Sequence, residues 1–502
     1  MLSGLGRIVS SKAPEFPKDF NWINTTEPLS LLGLRGHIVI LDFWTYGCIN
    51  CIHMVPILEK LQEAFKDQPV IVIGVHSAKF ANEQKAENIA EAVKRYEITH
   101  PVVVDEKMQI WKSYGINAWP TLVIIGPKGN IVRKRSGETG FAELDGIVQM
   151  LLDDHRDDGT LAKKRIEIKM PAVKDRRVLS YPQKIAFSPD GSALALSDTN
   201  HNRILIVNPQ TGKISTVIGS GERGFKDGSF ASAQFLEPRG ILWVGNVLYI
   251  ADTGNHAIRA ADLTKKTAST VAGTGTQGGY YPLEFSGNAL STDLSSPWDI
   301  ALYNGRLIIA MAGLHQLWSY EPKSGLVFPF AGNGGEGIVD GDYRNSEFAQ
   351  PSGLFVEGDF LYVADPESSG IRSIDLKKRF VGTISGHGLF VFGHKDGKLN
   401  QALMQHPYGL CANDGMVYVA DTYNSAIRMI DLKKETVVTL VGTPNEKSFC
   451  KYGDPDCDTV GLYEPSDVKL MGNRLFIADT NNHLIRVFDL KSMLLSTLEI
   501  KQ

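Results

Sequence analysis

Cysteine is scarce in this chain, with five in 502 residues. A disulfide-stabilised secreted fold needs a much higher cysteine content, so such a framework is excluded. A reducing compartment is the expected environment, and we predict a cytoplasmic protein. Two of the five, Cys48 and Cys51, nevertheless form a C-x-x-C pair. In a reducing compartment that pair indicates catalysis or redox sensing rather than structural cross-linking.

Long hydrophobic runs and an excess of basic charge are also missing. No stretch approaches the roughly 18 apolar residues of a membrane-spanning helix. Met1–Ser11 lacks the apolar core of a secretory signal, although Arg7 and Lys12 leave the stub of an organellar presequence as an alternative. Lys and Arg total 52 against 56 Asp and Glu, so no overall positive field attracts nucleic acid. We therefore expect neither a membrane nor a nucleic-acid partner.

The C-x-x-C pair lies between a predicted strand and a predicted helix. An apolar, β-branched run, Ile38–Trp44, precedes the cysteines, and apolar residues at helical spacing follow them. We predict a helix over Cys51–Asp67. Unpaired backbone N–H groups and the helix dipole stabilise a thiolate at a helix N-terminus, so Cys48 is the predicted nucleophile and Cys51 the resolving thiol. A zinc site is the alternative, but no second cysteine or histidine pair at ligand spacing lies nearby.

This segment closely resembles the thioredoxin superfamily. Asp42-Phe43-Trp44 stands where that family has D-F-W before its cysteines, and Ala118-Trp119-Pro120-Thr121 matches the family's cis-proline loop. The resemblance covers about residues 15–155. It implies an α/β thioredoxin-like domain with thiol-disulfide chemistry and no cofactor. The dipeptide Ile49-Asn50 departs from the Gly-Pro of thioredoxin, which leaves the redox potential open.

The resemblance also implies roles for individual residues. Asp42 would be buried at the end of an apolar strand, which raises its pKa and suits it to exchange a proton with Cys51. An exposed strand-end acid is the alternative. Pro120 would border the disulfide site, and Trp44 and Trp119 would contact the substrate.

Two histidines and a charged segment complete this half of the chain. We interpret His53 as a solvated helix residue and His76 as a strand-end residue, rather than as catalysts.

A charged run over 153–165 predicts a linker. The alternating run Ile166–Met170 is a candidate strand that could pair where the ring of the second domain closes. We place the thioredoxin-like domain at 1–155, the linker at 156–178 and a second domain at 179–502.

The second domain repeats one phrase six times. Most copies continue with an apolar run ending in Ala-Asp, then Ile-Arg and Asp-Leu. Four short β runs at a fixed period are the signature of a propeller blade, so we predict an all-β six-bladed propeller. The copies begin with prolines 54 to 59 residues apart, at Pro182, Pro238, Pro297, Pro351, Pro407 and Pro465.

The repeats resemble the NHL family of propellers, most clearly at Asn482-His483-Leu484. An Asp and an Arg seven residues apart recur in four copies. Such repetition favours a structural clamp over catalysis, with the Asp bonding turn backbone. The third copy has Met311 and Trp318 instead. The four pairs are Asp252 with Arg259, Asp365 with Arg372, Asp421 with Arg428 and Asp479 with Arg486.

Gly-rich insertions follow the fourth strands, for example Gly273–Ser296 and Gly332–Gln350. In a four-stranded meander, the connections after strands two and four share one face. Loops on a rigid scaffold usually carry binding, so we predict that a protein partner binds this loop face.

The remaining cysteines give weaker signals. Cys411 lies in an apolar strand and is a predicted core residue. Cys450 and Cys457 flank a run resembling a calcium loop, which lacks the required glycine and final glutamate. Two free surface thiols are favoured there over a local disulfide.

A thioredoxin-like domain with a C-I-N-C motif, followed directly by six NHL repeats, resembles one family, the NHL repeat-containing protein 2 family. The resemblance is closest in F-W-T-Y-G-C-I-N-C and in Gly74–Phe80. Animal members have a further β-rich domain, whereas this sequence stops at Gln502. The first hypothesis is a thiol-disulfide oxidoreductase whose propeller recruits the partner. The second is an interaction scaffold with low turnover, and the third is a propeller hydrolase or lyase with a channel metal. The oligomeric state stays open.

Overall fold

The chain folds into two compact units in a computed structural model, residues 1–175 and 176–502. The structure describes residues 11–169, 177–443 and 461–501.

A mixed sheet with helices packed on it forms the first unit. The sheet order is β1-β7-β6-β3-β4-β5-β2. The strands are β1 (Ser11–Lys12), β2 (Trp22–Ile23), β3 (Ile38–Trp44), β4 (Val70–His76), β5 (Val102–Val104), β6 (Thr121–Ile125) and β7 (Asn130–Ser136). The helices are α1 (Ile49–Ala64), α2 (Ala86–Arg95), α3 (Gln109–Ser113) and α4 (Phe141–Asp157).

The central strands are apolar because both faces of the sheet are covered. β3 and β4 run parallel, with β6 antiparallel on the other side of β3. Alternate residues of β3 enter two separate cores. Val39 and Leu41 join one, while Ile38 and Ile40 join the other beneath α1 and α4.

The helices differ from the predicted bounds at their ends. The active-site helix begins at Ile49 rather than Cys51 and ends at Ala64 rather than Asp67, with Pro56 inside it. The closing helix α4 continues to Asp157, so the charged run expected to be linker begins as helix. A run of charged residues can form either a linker or the exposed face of a helix. Charge alone therefore could not locate the end of α4.

The described part of the predicted seam strand Ile166–Met170 does not form a strand. Residues 166–169 form no strand and pack on the thioredoxin-like unit. The Ile166 backbone N–H donates to His37 Nε2 over 3.1 Å, and the Lys169 carbonyl accepts from the Thr26 N–H over 3.1 Å. Ile168 packs against the first core. The alternation of apolar and charged residues in this segment therefore places Ile168 against the core and does not indicate strand pairing.

The described part of the second unit contains six antiparallel sheets, which confirms the six-bladed propeller. Blade 1 has β8 (Pro182–Phe187), β9 (Leu194–Asp198), β10 (Arg203–Val207) and β11 (Ile214–Ile218). Blade 2 has β12 (Gly228–Ser229), β13 (Pro238–Val244), β14 (Val247–Asp252), β15 (Ala257–Asp262) and β16 (Thr267–Ala272). Blade 3 has β17 (Gly287–Asn288), β18 (Pro297–Tyr303), β19 (Arg306–Met311), β20 (Gln316–Glu321) and β21 (Leu326–Ala331).

The other three blades follow the same pattern. Blade 4 has β22 (Gly341–Asp342), β23 (Gly353–Glu357), β24 (Phe360–Asp365), β25 (Gly370–Asp375) and β26 (Phe380–Ser385). Blade 5 has β27 (Gly397–Lys398), β28 (Gly409–Asn413), β29 (Met416–Asp421), β30 (Ala426–Asp431) and β31 (Thr436–Gly442). Blade 6 has β32 (Asp467–Met471), β33 (Arg474–Asp479), β34 (Leu484–Asp489) and β35 (Leu494–Leu498).

The ring closes between blade 6 and blade 1. The inner strands contact one another in the order β8, β13, β18, β23, β28, β32 and back to β8. At the seam the Ile185 N–H donates to Asp467 Oδ2 over 3.1 Å. Lys501 bridges to Lys213 beside β11, through backbone hydrogen bonds with Gly212 and Ile214. The C-terminal residues therefore pair across the seam.

The repeated Asp-Arg pairs are structural in the blades that have them. Asp252 is buried and accepts hydrogen bonds from the Leu236 N–H over 2.8 Å and from Arg259 over 2.7 Å. Arg259 also donates to Asp227 in the preceding insertion over 2.7 Å. The clamp thus fixes the insertion as well as the strands. It recurs in Asp365 with Arg372 and Asp340, and in Asp421 with Arg428 and Asp396.

Blades 3 and 6 depart from this pattern. In blade 6, Arg486 donates to the Ser496 carbonyl, and no ion pair joins it to Asp479 among the described residues. In blade 3, buried Trp318 donates to Gln316 Oε1 over 3.0 Å. A neutral pair there replaces the ionic clamp.

Candidate functional site

Cys48 lies at the N-terminus of α1, as predicted. It is the N-cap residue, and its Sγ accepts a hydrogen bond from the Cys51 N–H over 3.4 Å. Its carbonyl accepts from the Ile52 N–H. Cys48 is partly exposed, whereas Cys51 is buried. Cys48 is therefore the thiol that a bulky disulfide can reach.

Cys51 is held in its protonated form. Burial raises the pKa of the Cys51 thiol well above its usual range, and its hydrogen bond and electrostatic interaction with Cys48 raise it further. The charge of Asp42 acts in the same direction, while a hydrogen bond from the Thr45 backbone opposes it. A thiol in this state needs a proton acceptor before it can attack a disulfide.

Asp42 lies in β3 beneath α1, where such an acceptor is needed. It is 3 % exposed, so burial is confirmed and the exposed alternative is wrong. Burial raises the pKa of Asp42 to about 7. The carboxylate can therefore hold or release a proton near neutral pH. Its catalytic use stays a prediction.

Pro120 follows Trp119 through a cis peptide bond, as the resemblance implied. Trp119 is half-buried, packs at a tilt against Trp111 and donates from Nε1 to the Ser77 carbonyl over 3.0 Å. Trp44 is different. It is 1 % exposed and packs edge-on against His76. Direct substrate contact by Trp44 is therefore not supported, because the strand turns its ring into the core.

The two histidines are more buried than expected. His53 is not solvated: it is 6 % exposed, and its Nδ1 lies 2.7 Å from Glu138 Oε1. His76 does end β4, but it is fully buried, and burial lowers its pKa to about 3. Glu138 was missed because it lies 85 residues from its partner. Nothing in its local sequence indicates the contact.

The propeller loop face is built as predicted. Asn255, in the turn after β14, donates to the Gly224 carbonyl of the preceding insertion over 2.8 Å. Asn424 and Asn482 make the same contact with Gly393 and Gly461 in later blades. Turns and insertions therefore share one face, and the clamps tie the insertions to the strands.

A lysine fills the ring axis. Lys184 in β8 is buried, and its Nζ lies 3.0 Å from Asp299 Oδ2 and 3.0 Å from the Tyr408 carbonyl. These partners belong to blades 3 and 5, so the side chain crosses between alternate blades. The ammonium takes the carboxylate that a channel metal would need. This geometry disfavours the hydrolase or lyase hypothesis.

Other predicted features have different outcomes. Cys411 is buried, and burial raises its pKa to about 12, which confirms a core thiol. Cys450, Cys457 and the start of the calcium-like run lie outside the described residues. Within 11–169, 177–443 and 461–501, no group of His, Cys, Asp and Glu could hold a metal ion. No helix in these ranges is long and apolar enough to cross a bilayer.

The fold and the site define a class: a thioredoxin-like domain with a C-x-x-C at a helix N-terminus, joined in one chain to a six-bladed propeller. A family model described as thioredoxin-like matches residues 36–131, and one described as NHL repeat matches residues 462–488. The chain is 38 % identical to human NHL repeat-containing protein 2 over 525 residues, which covers 97 % of this chain and 71 % of that protein. It belongs to the NHL repeat-containing protein 2 family.

Two further relatives match different shares of this chain. Protein SUPPRESSOR OF QUENCHING 1, chloroplastic, of Arabidopsis thaliana is 40 % identical over 518 residues, covering 98 % of this chain and 48 % of that protein. This chain thus spans about half of the plant protein. Thiol-disulfide oxidoreductase ResA of Halalkalibacterium halodurans is 34 % identical over 111 residues, covering 22 % of this chain and 60 % of that protein. Since one relative is named as chloroplastic, the cytoplasmic location stays a prediction.

Proposed function

We propose that this chain is a thiol-disulfide oxidoreductase that acts on a protein partner held by its propeller. One observation carries the proposal: Cys48 is accessible at the N-terminus of α1, with the protonated Cys51 one turn behind it and Asp42 buried below. The similarity to a relative named thiol-disulfide oxidoreductase supports the same reaction class.

The proposed reaction has two exchange steps. The Cys48 thiolate attacks one sulfur of a partner disulfide, and the other sulfur leaves as a thiolate that takes a proton from water. Cys51 then gives its proton to Asp42 and attacks the Cys48 sulfur of the mixed disulfide. The bond from Cys48 to the partner breaks, and the partner's second sulfur leaves as a thiolate that takes a proton from water. The products are a Cys48–Cys51 disulfide and a partner with two thiols. The protein is oxidised by two electrons and the partner is reduced by two.

The loop face supports partner binding in physical terms. Its insertions are tied to the blades by buried arginines, each of which pairs with a buried strand aspartate and with a half-exposed aspartate of the insertion. A fixed surface loses little conformational entropy on binding, which favours affinity. The alternative is a scaffold that binds through this face and turns over little at the thiols.

Trapping separates the two functions. Cys51→Ser should leave Cys48 joined to the partner as a mixed disulfide that reducing agent releases, detected on non-reducing gels. Cys48→Ser/Cys51→Ser should trap nothing, and Cys411→Ser on the Cys51→Ser background should trap as well as its parent, because Cys411 is buried. If Cys51→Ser binds partners only non-covalently, the scaffold function is favoured and the oxidoreductase proposal fails.

A further inference from the structure

One peptide unit beside the nucleophile is held from both sides. The turn peptide, which links Tyr46 to Gly47, lies one residue before Cys48 in the connection from β3 to α1. Its carbonyl accepts a hydrogen bond from Tyr96 Oη over 3.2 Å, and its N–H donates to Glu83 Oε1 over 2.9 Å. Both polar groups of the turn peptide are therefore fixed by side chains from the segment between β4 and β5.

Glu83 also ties the turn peptide to a second stretch of backbone. Its side chain is buried, and its other oxygen, Oε2, accepts from the N–H groups of Lys79 and Phe80, each over 2.9 Å. An ionised carboxylate carries acceptors only, so N–H donors on both of its oxygens match that form. Hydrogen bonds to a charged group are about twice as strong as neutral ones. Glu83 thus anchors the backbone on both of its sides.

The side chain of Tyr46 is held by the same part of the fold. Asn82 Nδ2 donates to Tyr46 Oη over 3.1 Å, and the Tyr46 ring stacks on His76 with 5.5 Å between the ring centroids. Since both the backbone and the side chain of Tyr46 are held, rotation of the turn peptide requires several buried contacts to break. The direction in which the chain enters α1 is therefore set by β4 and the segment that follows it.

This direction matters to Cys48 because a thiol at a helix N-cap depends on where the chain enters the helix. Cys48 Sγ accepts from the Cys51 N–H over 3.4 Å, and a hydrogen bond of this kind favours the charged form of the sulfur. If the turn peptide rotates, the N-cap geometry of Cys48 is no longer fixed and this bond forms less often. The thiolate, which is the form that attacks a disulfide, is then less favoured.

We propose that Glu83 and Tyr96 are positioning residues for Cys48: by fixing the turn peptide they keep the Cys48 sulfur at the N-terminus of α1. The inference rests on the proposed function only for the role of Cys48 as the attacking thiol. Glu83 and Tyr96 are both buried, so they act through the turn peptide and not by contact with the partner.

Tyr96→Phe in the full chain tests the hold on the carbonyl of the turn peptide. Tyr114→Phe is the matched control, because Tyr96 and Tyr114 are each 4 % exposed. The Tyr114 hydroxyl donates to the Pro14 carbonyl over 2.7 Å, which is a bond of the same kind elsewhere in the same unit. Each variant loses one hydroxyl-to-carbonyl bond, so a general loosening of the unit would affect both equally.

Alkylation of the reduced chain by iodoacetamide at pH 7, with mass spectrometry at each cysteine, reads Cys48 without turnover. The Cys48 rate should fall about fivefold in Tyr96→Phe, the factor by which one typical hydrogen bond shifts an equilibrium. It should match wild type in Tyr114→Phe. An unchanged Cys48 rate in Tyr96→Phe, or equal slowing in both variants, would overturn the proposal.

Glu83→Gln tests the hold on the N–H of the turn peptide. Glutamine keeps the length of the side chain but replaces one acceptor oxygen with a donor, so it cannot accept on both sides. In this background Tyr96→Phe should slow Cys48 by less than about twofold, because the turn peptide is already loosened. The comparison cancels the direct effect of the Glu83 charge, which is absent from both chains. A second loss of about fivefold would mean that the two residues act separately and would overturn the proposal.

Trapping and alkylation together separate this inference from the proposed function. If Cys51→Ser traps no covalent partner but Tyr96→Phe still slows the alkylation of Cys48, the proposed function fails and the positioning role is supported. If Cys51→Ser traps a partner and Cys48 of Tyr96→Phe reacts like wild type, the proposed function is supported and the positioning role fails.

Discussion

Asp42 combines two properties that oppose each other. Its burial makes it a proton acceptor near neutral pH, but the same burial makes its ionised form unfavourable in the folded chain. A residue that serves only stability would not be an acid at this position in β3. Asp42 is thus the residue at which the fold should lose stability for the sake of the site.

Asp42→Asn should stabilise the thioredoxin-like unit at alkaline pH. The folded pKa of about 7 exceeds the unfolded value of about 3.9, so the folded state binds more protons and wild-type stability falls as pH rises between these values. At pH 8 the variant should gain roughly 2–4 kcal/mol in free energy of unfolding. Urea unfolding at several pH values measures it.

The difference should shrink towards zero as the pH falls below about 3.9, because Asp42 is then protonated in both states. A gain of equal size at pH 4 would assign the effect to packing rather than to ionisation. A loss of stability at pH 8 would show that the carboxylate is better solvated than its burial indicates.

At the scale of elements, each clamp links three pieces of a blade. In blade 5, for example, the Asp ends β29 and the Arg lies in β30. The same Arg also reaches an acid in the preceding insertion. Arg428, for example, contacts both Asp421 over 2.7 Å and Asp396 over 2.6 Å. Insertion geometry and blade stability are therefore coupled through one guanidinium.

Asp421→Asn should lower the melting temperature of the propeller without changing thiol exchange by the full chain. The change removes the charge facing buried Arg428, and breaking a buried pair typically costs about 3 kcal/mol. Asp414→Asn, at an exposed turn in the same blade, is the matched control and should unfold like wild type. Differential scanning calorimetry measures the melting temperature, and a thiol-exchange assay on the same samples measures activity. Lost exchange with unchanged melting would contradict a structural role.

At the scale of the whole propeller, the axis joins distant blades. Lys184 connects blade 1 to Asp299 of blade 3 and to the Tyr408 carbonyl of blade 5. Packing between neighbouring blades is local, whereas this side chain spans the ring. It therefore supports closure together with the backbone bridge at Lys501.

Lys184→Met should destabilise the propeller by about 3 kcal/mol, because it leaves Asp299 charged, buried and without its cation. Lys184→Met/Asp299→Asn should recover part of this loss, since the unpaired charge is gone. Denaturant unfolding of both variants and of Asp299→Asn alone forms a double-mutant cycle. Strictly additive effects would mean that the ion pair adds nothing.

The two units should also cooperate on a protein partner. Residues 1–175 should reduce a small disulfide as fast as the full chain, because the cysteines and Asp42 are all present. They should lose most of the rate on the partner trapped by Cys51→Ser. Tethering makes the second contact intramolecular at roughly millimolar effective concentration. Stopped-flow rates on both substrates measure this, and equal rates on the trapped partner would contradict recruitment by the propeller.

The sequence by itself was sufficient for features that depend on residues close in the chain. The strand, cysteine turn and helix around Cys48 are visible because their signal spans about twenty residues. The six blades are visible because each repeats the same four strands. Burial of Asp42 and Cys411 followed from the apolar strands that contain them. The structural role of the Asp-Arg pairs followed from their repetition.

Only the tertiary structure decided what depends on residues far apart in the chain. Trp44 and His53 are buried by elements that cannot be identified from the residues near them in the sequence. Glu138, which contacts His53, lies 85 residues from it. Lys184 looks like any surface lysine until the ring brings Asp299 to it. The segment 166–169 alternates like a strand but packs on the first unit. The physical reason is the same in each case: burial and pairing are set by the partner's position, which the fold determines and a local sequence window does not contain.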